Sequence, residues 1–176
     1  IMHFSRPDST VFGRPVYDFR YQLGHVLAEE NPVDADVVIG VPDSGIPGAL
    51  GYSQYSGVQY GVGLIRSHSV GRRYIEPSQE IRDFGVKLKL SPVRSVIAGK
   101  RVVVVDNTLV RGATLRKVVR MLRQAGASEV HVRITSPPTI ASCFCGAETP
   151  TASDLIATRL GIGDITSYLG SDSLAY

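Results

Sequence analysis

The run of four valines at residues 102–105 is the feature that most restricts the fold of this chain. A short, continuous apolar run of β-branched residues suits a strand that is buried on both faces of a parallel sheet. Two polar residues and a short loop that contains Gly112 follow it, and residues 115–122 then place apolar side chains at helical spacing. The segment therefore predicts a strand, a short loop and a helix, which is the repeating unit of α/β folds.

Strand and helix patterns alternate along the rest of the chain. With 176 residues, 43% of them apolar, the chain is long enough for one domain with a full core. We expect one α/β domain over residues 1–176, with a mainly parallel sheet and flanking helices. We expect strands at residues 36–41, 58–65, 101–105 and 129–134, and another that starts near Ser173. We expect helices at residues 15–30 and 46–55, one that ends at Gly126, and short ones around residues 154–159 and 164–168.

Charge and hydropathy limit the partners and the location of the chain. A net charge of +3 is too small to argue for nucleic acid, and no apolar run is long enough for a membrane span, so we expect neither partner and a cytoplasmic location. Residues 66–89 carry six Arg or Lys and little apolar periodicity, and a long polar connection of this kind is usually functional or disordered. The chain begins with Ile rather than Met, and we expect it to be a fragment.

The loop after the valine strand combines two kinds of polar group. Asp106 and Asn107 could accept hydrogen bonds from vicinal hydroxyls of a sugar, because ligands of open α/β sheets lie beyond the carboxyl ends of the strands. Backbone amides and the hydroxyls of Thr108 and Thr114 could bind an anion at the start of the helix, where Gly112 lets the backbone come close. Together they describe a ribose 5-phosphate pocket. An ordinary turn in which Asp and Thr cap the helix explains the same residues.

Several further motifs stand in the order and approximate spacing of a known family. They are Arg6-Pro7-Asp8-Ser9, Val41-Pro42-Asp43-Ser44, Val70-Gly71-Arg72, Glu76-Pro77-Ser78-Gln79, Lys89-Leu90-Ser91 and Val110-Arg111-Gly112. With residues 102–114, they resemble the phosphoribosyltransferase-domain portion of the glutamine phosphoribosylpyrophosphate amidotransferase (amidophosphoribosyltransferase) family. The resemblance implies a type I phosphoribosyltransferase fold with a mobile basic loop at residues 66–89. It also implies that an N-terminal glutaminase domain and a C-terminal end are missing.

The resemblance implies an activity. Such an enzyme transfers ammonia, released from glutamine by the glutaminase domain, to phosphoribosyl pyrophosphate. It gives 5-phosphoribosylamine and pyrophosphate, the first step of de novo purine synthesis, and this segment alone would use free ammonia at most. Mg²⁺ is the implied cofactor, purine nucleotides are possible inhibitors, and a homo-oligomer is expected. Cys143 matches an iron–sulfur ligand position, so a [4Fe-4S] cluster is possible in the full-length protein.

The resemblance also implies roles for individual residues. The catalytic set is Arg72, Lys87, Lys89 and Asp106. The substrate-binding set is Asp43, Ser44, Gly45, Arg82, Asp106, Asn107, Thr108, Val110, Arg111, Gly112, Ala113 and Thr114. The implied ligands of Mg²⁺ are Ser44, Asp106 and Asn107.

Two positions and one short segment depart from what related enzymes show and leave alternatives open. Many base-transferring phosphoribosyltransferases have an Asp where this chain has Val110, and an apolar side chain cannot act as a general base, so ammonia is favoured over a nucleobase. The family usually has a second acid where this chain has Asn107, and loss of that charge would slow the reaction roughly ten- to hundredfold. Residues 66–69 also differ from the family. A catalytically weak regulatory module that binds phosphoribosyl pyrophosphate or nucleotides is therefore the alternative.

Overall fold

The computed structural model of the chain describes residues 5–66, 90–141 and 154–176. Its strands are β1 (Thr10–Val11), β2 (Arg14–Pro15), β3 (Val37–Gly40), β4 (Leu64–Arg66), β5 (Leu90–Pro92), β6 (Arg101–Asp106), β7 (Glu129–Ile134) and β8 (Ser173–Ala175). Its helices are α1 (Val16–Glu30), α2 (Ile46–Ser56), α3 (Arg94–Ile97), α4 (Ala113–Gln124) and α5 (Ile162–Leu169), with a 3-10 turn at Ile156–Thr158. None of the helices in the described ranges has the length and apolar character that a membrane crossing requires.

The main sheet has the strand order β3-β6-β7-β8, and all its neighbouring strands are parallel. Two antiparallel ribbons, β1 with β2 and β4 with β5, stand apart from it. The predicted α/β fold with a mainly parallel sheet is therefore confirmed. Strand β6 lies between β3 and β7, so the end of the valine run is placed in the middle of the sheet.

Strand β6 is buried on both faces, which explains its unbroken apolar run. Val102 and Val104 pack in one core with α4 and α5, where Leu122 and Ile165 are among their partners. On the other face, Val103 and Val105 pack in a second core with residues of α1 and α2, namely Leu27, Ala28, Ala49 and Tyr52. The strand therefore has no solvent face until it ends at Asp106.

Helices α1 and α2 meet at backbone contact distance. A Cβ atom placed on Gly24 would lie 1.9 Å from the carbonyl oxygen of Gly48, and one placed on Gly51 would lie 1.9 Å from the carbonyl oxygen of Tyr21. Real Cβ atoms do not approach backbone oxygens this closely, so glycine is required at the crossing. The close packing fixes α2, and with it the loop that enters α2 from β3.

Strand β7 separates aliphatic from polar side chains by face. Val130, Val132 and Ile134 belong to the core with α4 and α5. His131 and Arg133 alternate with them and point to the other face. Both are buried, and both contact the Ser173 hydroxyl on β8 at 3.0 Å, through His131 Nδ1 and Arg133 Nη1.

The predicted strand at residues 58–65 is wrong over most of its length. The strand there is β4, which pairs antiparallel with β5, and residues 58–63 contribute one bridge, from Tyr60 to Val38. The chain turns here, because the Gly63 amide donates to the Gly61 carbonyl at 3.0 Å. Gly63 also passes close to β3, where a Cβ atom on it would lie 2.6 Å from the Ile39 side chain. The short helix expected at residues 154–159 is a 3-10 turn, and α5 is longer than expected.

Candidate functional site

Three loops meet at the carboxyl edge of the sheet, because β3, β6 and β7 are parallel neighbours. The loop after β3 is tied to β6 by a hydrogen bond from the Val41 amide to the Val105 carbonyl, 2.9 Å long. The loop after β7 is tied to the end of β6 by bonds from the Thr135 and Ser136 amides to the carbonyls of Asp106 and Asn107, each 3.0 Å long. Loops 41–45, 107–112 and 135–138 therefore form one edge.

Asp106 and Ser44 come together at this edge, as the sequence predicts. The Ser44 hydroxyl donates to Asp106 Oδ1 across 3.4 Å. Gly45 makes this approach possible, because a Cβ atom at that position would lie 2.3 Å from the Val105 carbonyl oxygen. The preceding peptide bond, between Pro42 and Asp43, is cis.

The carboxyl group of Asp106 is harder to ionise than an ordinary aspartate. Burial raises its pKa to about 6, although hydrogen bonds from the Asn107 amide and the Ser44 hydroxyl favour the charged form. The Asn107 amide bond to Oδ1 is 2.8 Å long. The carboxylate is therefore charged at neutral pH and held at a cost, which is typical of functional sites.

We expect Asp106 to make the fold less stable as the pH rises from about 4 to about 7. Its pKa in the folded protein, about 6, lies above the unfolded value of 3.8, so the folded state holds its proton longer and loses stability as the pH passes through that window. The full loss is about 3 kcal/mol. Chemical denaturation of the wild type and Asp106→Asn at a series of pH values measures it.

The two proteins should have similar free energies of unfolding near pH 4, and Asp106→Asn should be the more stable one near pH 7. Asp164→Asn, which changes an exposed carboxylate in the first turn of α5, is the matched control and should follow the wild type. Equal stability of wild type and Asp106→Asn at both pH values would contradict the raised pKa.

The loop that leads into α4 can present backbone amides to an anion. The first helical hydrogen bond of α4 runs from the Arg116 amide to the Gly112 carbonyl, so earlier amides are not part of the helical ladder. Thr108 is half-buried, and Ala113 and Thr114 are exposed. Gly112 has a φ of +78°, and a Cβ atom there would lie 3.0 Å from the Tyr168 ring, so its backbone conformation and packing both require glycine.

The side chains of Val110 and Arg111 are placed differently from that anion site. The Val110 carbonyl accepts the Ile156 amide at 2.9 Å, which anchors the loop to the 3-10 turn. The Arg111 guanidinium pairs with Asp154 at 3.3 Å, and both side chains are more than one-third exposed. An exposed pair of this kind contributes little to stability. Direct substrate contact by Arg111 stays a prediction.

Asn107 follows β6 as predicted, but its side chain is buried. Its residue is 3% exposed, and its Oδ1 accepts the Thr135 hydroxyl at 3.4 Å, beneath the edge rather than in its opening. This burial counts against the predicted contacts of Asn107 with a sugar diol and with Mg²⁺, which stay predictions. The chain turns after Asp106, so the side chain of the next residue is directed into the protein.

A cavity of about 330 Å³ opens beside Ser44. Its lining residues are Ser5, Pro7, Arg20, Pro42, Asp43, Ser44 and Arg66. Arg66 pairs with Asp43 across it, and Arg20, which is 2% exposed, donates to the Ser5 carbonyl at 2.8 Å. Two guanidinium groups beside Asp43 and Ser44, which the resemblance assigns to substrate binding, would suit a polyanion.

Arg20 is not among the residues predicted from the sequence. The signal is present, because Arg20 lies on the same buried face of α1 as Val16, Gly24 and Leu27. An arginine in an otherwise apolar helical stripe needs a specific reason to be there.

Five predicted residues cannot be placed. Arg72, Arg82, Lys87, Lys89 and Cys143 lie outside the described residues. Their roles in catalysis, substrate binding and an iron–sulfur cluster stay predictions.

A larger cavity, of about 500 Å³, lies between α4 and α5. It is lined by Arg116, Lys117 and Arg120 of α4 and by Tyr168 of α5, among others. Asp43, Ser44 and Asp106 are not among the residues that line it. Size alone therefore does not make it the candidate site, because the convergent polar groups lie at the carboxyl edge of the sheet.

The residues at the edge fit a magnesium ion that arrives with its substrate. In the described ranges there is no group of three or more His, Cys, Asp or Glu side chains that could hold a metal by itself. Mg²⁺ commonly binds to proteins through one or two carboxylates and otherwise through substrate phosphates and water. Asp106, with the Ser44 hydroxyl 3.4 Å from its Oδ1, offers that kind of site.

The chain matches one family model and is similar to several characterised proteins. The model for the phosphoribosyl transferase domain matches residues 25–135. Over 175 residues, 99% of this chain and 31% of the other, it is 61% identical to amidophosphoribosyltransferase 2, chloroplastic, of Arabidopsis thaliana. It is 52% identical to the amidophosphoribosyltransferase of Synechocystis, over all of this chain and 36% of the other.

A solved structure shares the fold. Glutamine phosphoribosylpyrophosphate amidotransferase from B. subtilis, complexed with ADP and GMP, superposes with a TM-score of 0.87 at 51% identity. The match covers 98% of this chain and 38% of that one. The chain thus spans about a third of the length of the relatives it matches.

Proposed function

Because the chain belongs to the phosphoribosyl transferase domain family, we propose that its carboxyl-edge site binds phosphoribosyl pyrophosphate and transfers the phosphoribosyl group to ammonia. The products are 5-phosphoribosylamine and pyrophosphate, and in an intact amidotransferase the ammonia comes from glutamine. One observation carries the proposal: the Asp106 carboxylate and the Ser44 hydroxyl meet within 3.4 Å where the loops after two parallel strands join. The sugar and the pyrophosphate are joined at C1, so the groups that bind them must lie next to each other.

Each part of the site has a role in this reaction. Ammonia forms a bond to C1 of the sugar as the bond to pyrophosphate breaks, and the new amine then gives up one proton to solvent. Positive charge develops on the ring as negative charge develops on the leaving group. The Asp106 carboxylate would stabilise the ring, while Ser44, Arg20 and Arg66 would bind the departing pyrophosphate. Mg²⁺, when bound with the substrate, supplies further positive charge to the same leaving group.

The loop after β6 favours ammonia as the nucleophile. Val110 has an apolar side chain, and its carbonyl is occupied by the Ile156 amide at 2.9 Å. Neither group offers a general base to a nucleobase. Neutral ammonia is already nucleophilic and needs no such base.

We expect the protein to release pyrophosphate from phosphoribosyl pyrophosphate when Mg²⁺ and ammonium chloride are supplied. The rate should rise with the concentration of neutral ammonia and stop when a chelator removes the metal. A coupled assay for pyrophosphate measures it, with hypoxanthine and orotate as alternative acceptors. Turnover with a nucleobase but not with ammonia would contradict the proposal.

A regulatory binding module is the second candidate, and Asn107 favours it. With Asn107 neutral and buried, Asp106 is the carboxylate that remains at the end of β6. Calorimetric binding of phosphoribosyl pyrophosphate without turnover, by the wild type and by Asn107→Asp, would support this candidate over the enzyme.

Several properties of the intact protein remain our proposals. A B. subtilis relative was solved with ADP and GMP, and we propose purine nucleotides as inhibitors. A homo-oligomer, a [4Fe-4S] cluster that uses Cys143, and a cytoplasmic location are likewise proposals, and the Arabidopsis relative is described as chloroplastic.

A further inference from the structure

Asn107 is held inside the protein by contacts that also fix Asp106. We propose that Asn107 is a positioning residue, anchored by Thr135, which orients the Asp106 carboxylate and does not itself contact the sugar or the metal. The inference rests on the proposed function, since it assigns how the site of that reaction is kept in shape. It differs from the role that the resemblance implies for this position, which is direct contact with the substrate and Mg²⁺.

Three hydrogen bonds fix Asn107 in place. Its backbone amide donates to Asp106 Oδ1 at 2.8 Å, and its carbonyl accepts the Ser136 amide at 3.0 Å. Its side-chain Oδ1 accepts the Thr135 hydroxyl at 3.4 Å. Because the amide that holds the carboxylate belongs to the residue that Thr135 and Ser136 anchor, the direction of the Asp106 carboxylate depends on the loop after β7.

Thr135 is itself rigidly placed. Its amide donates to the Asp106 carbonyl at 3.0 Å, and it is almost fully buried. Its methyl group packs against α2, where a Cβ atom on Gly48 would lie 2.8 Å from Thr135 Cγ2. A β-branched side chain confined on one side has few rotamers, so its hydroxyl is directed at Asn107.

Asn107 differs from the family's usual second acid in the charge that it brings to this place. An aspartate there would be buried beside Asp106, and two neighbouring carboxylates in a buried site oppose each other's ionisation. The amide of Asn107 accepts the Thr135 hydroxyl without adding a second charge. Its Nδ2 atom has no hydrogen-bond partner in the described part of the chain, which leaves Thr135 as the side chain there that holds it.

The test compares Thr135→Val, Asn107→Ala and the double variant by steady-state kinetics on the full chain as it is made in the cell, with ammonium chloride as acceptor. Thr135→Val removes the hydroxyl and keeps the shape. We expect kcat to fall about fivefold, the equivalent of one neutral hydrogen bond, with KM for phosphoribosyl pyrophosphate changed less than twofold. Because the two residues act as a unit, the double variant should be no slower than Asn107→Ala.

Two further variants separate positioning from loss of structure. Thr135→Ser keeps the hydroxyl and should retain most of kcat even if it is less stable. Thr166→Val removes a matched hydroxyl, which bonds to the Ile162 carbonyl on α5, and should leave the kinetics unchanged.

The outcomes that overturn the inference are distinct from failure of the proposed function. A wild type without turnover defeats the proposed function, and the inference with it. If the wild type is active, an unchanged kcat in Thr135→Val together with a raised KM in Asn107→Ala would show that Asn107 contacts the substrate, and only the inference would fall. If Thr135→Val does not fold, Thr135→Ser becomes the test. Because it keeps the hydroxyl, a loss of kcat in that variant would count against the inference.

Discussion

Asp106→Asn is expected to lower the rate of pyrophosphate release from phosphoribosyl pyrophosphate about a hundredfold. The substitution keeps the size of the side chain. It removes the negative charge that, in the proposed reaction, would stabilise the ring and hold the metal, at a position where Ser44 and the Asn107 amide contact the carboxylate. A charge-assisted hydrogen bond is worth about 1.5–3 kcal/mol, which is roughly ten- to hundredfold in rate, and the lost metal contact adds to it. Single-turnover measurement with ammonium chloride checks the value.

The same substitution should make the protein more stable at neutral pH, since it removes a carboxylate whose pKa is raised to about 6 by burial. Activity and stability are thus expected to move in opposite directions, as is common for groups kept for function. Asp164→Asn should alter neither. A variant Asp106→Asn with more than a third of wild-type activity would remove Asp106 from the catalytic role.

Gly51→Ala is expected to lower the free energy of unfolding by about 3 kcal/mol, at the upper end of the usual range for overpacking. The added Cβ atom would lie 1.9 Å from the Tyr21 carbonyl oxygen, so α1 and α2 would have to separate. For a chain of this length that loss corresponds to a fall in Tm of roughly 6–12 °C. Differential scanning calorimetry measures it.

Gly163→Ala is the matched control. Gly163 lies in α5, and a Cβ atom there meets nothing within 4 Å. Replacing a helical glycine with alanine without steric conflict stabilises a protein by about 0.4–1 kcal/mol, so the Tm should stay level or rise slightly. If the Tm fell by a similar amount in both variants, the loss of stability would come from replacing any helical glycine and not from the close contact between α1 and α2.

Much of the main sheet could be predicted because its pattern is local. The valine run of β6 and the helical spacing of α4 each identify their element without knowledge of its neighbours. The strand expected at residues 58–65 failed for a non-local reason, since Gly63 is there to clear Ile39 and β4 takes its partner from β5. No local pattern states which distant strand will pair.

In the candidate site, too, the features that follow from local patterns could be predicted and those that depend on distant residues could not. Asp43, Ser44 and Asp106 could be placed together because the ends of neighbouring parallel strands share an edge. The direction of the Asn107 side chain could not, because it depends on Thr135 in the loop after β7. Arg20 is far from the motif in sequence, and α1 brings it to the cavity only after folding.

The alternating faces of β7 have a consequence for how the chain finds its native pairing. If β7 slipped by one residue against β6, Arg133 would enter the aliphatic layer and Val132 would leave it, which is a large cost for a single step. Purely aliphatic side chains at positions 131 and 133 would tolerate the slipped arrangement. The buried arginine and histidine thus disfavour the one-residue slip, in which Thr135 would no longer lie beside Asn107.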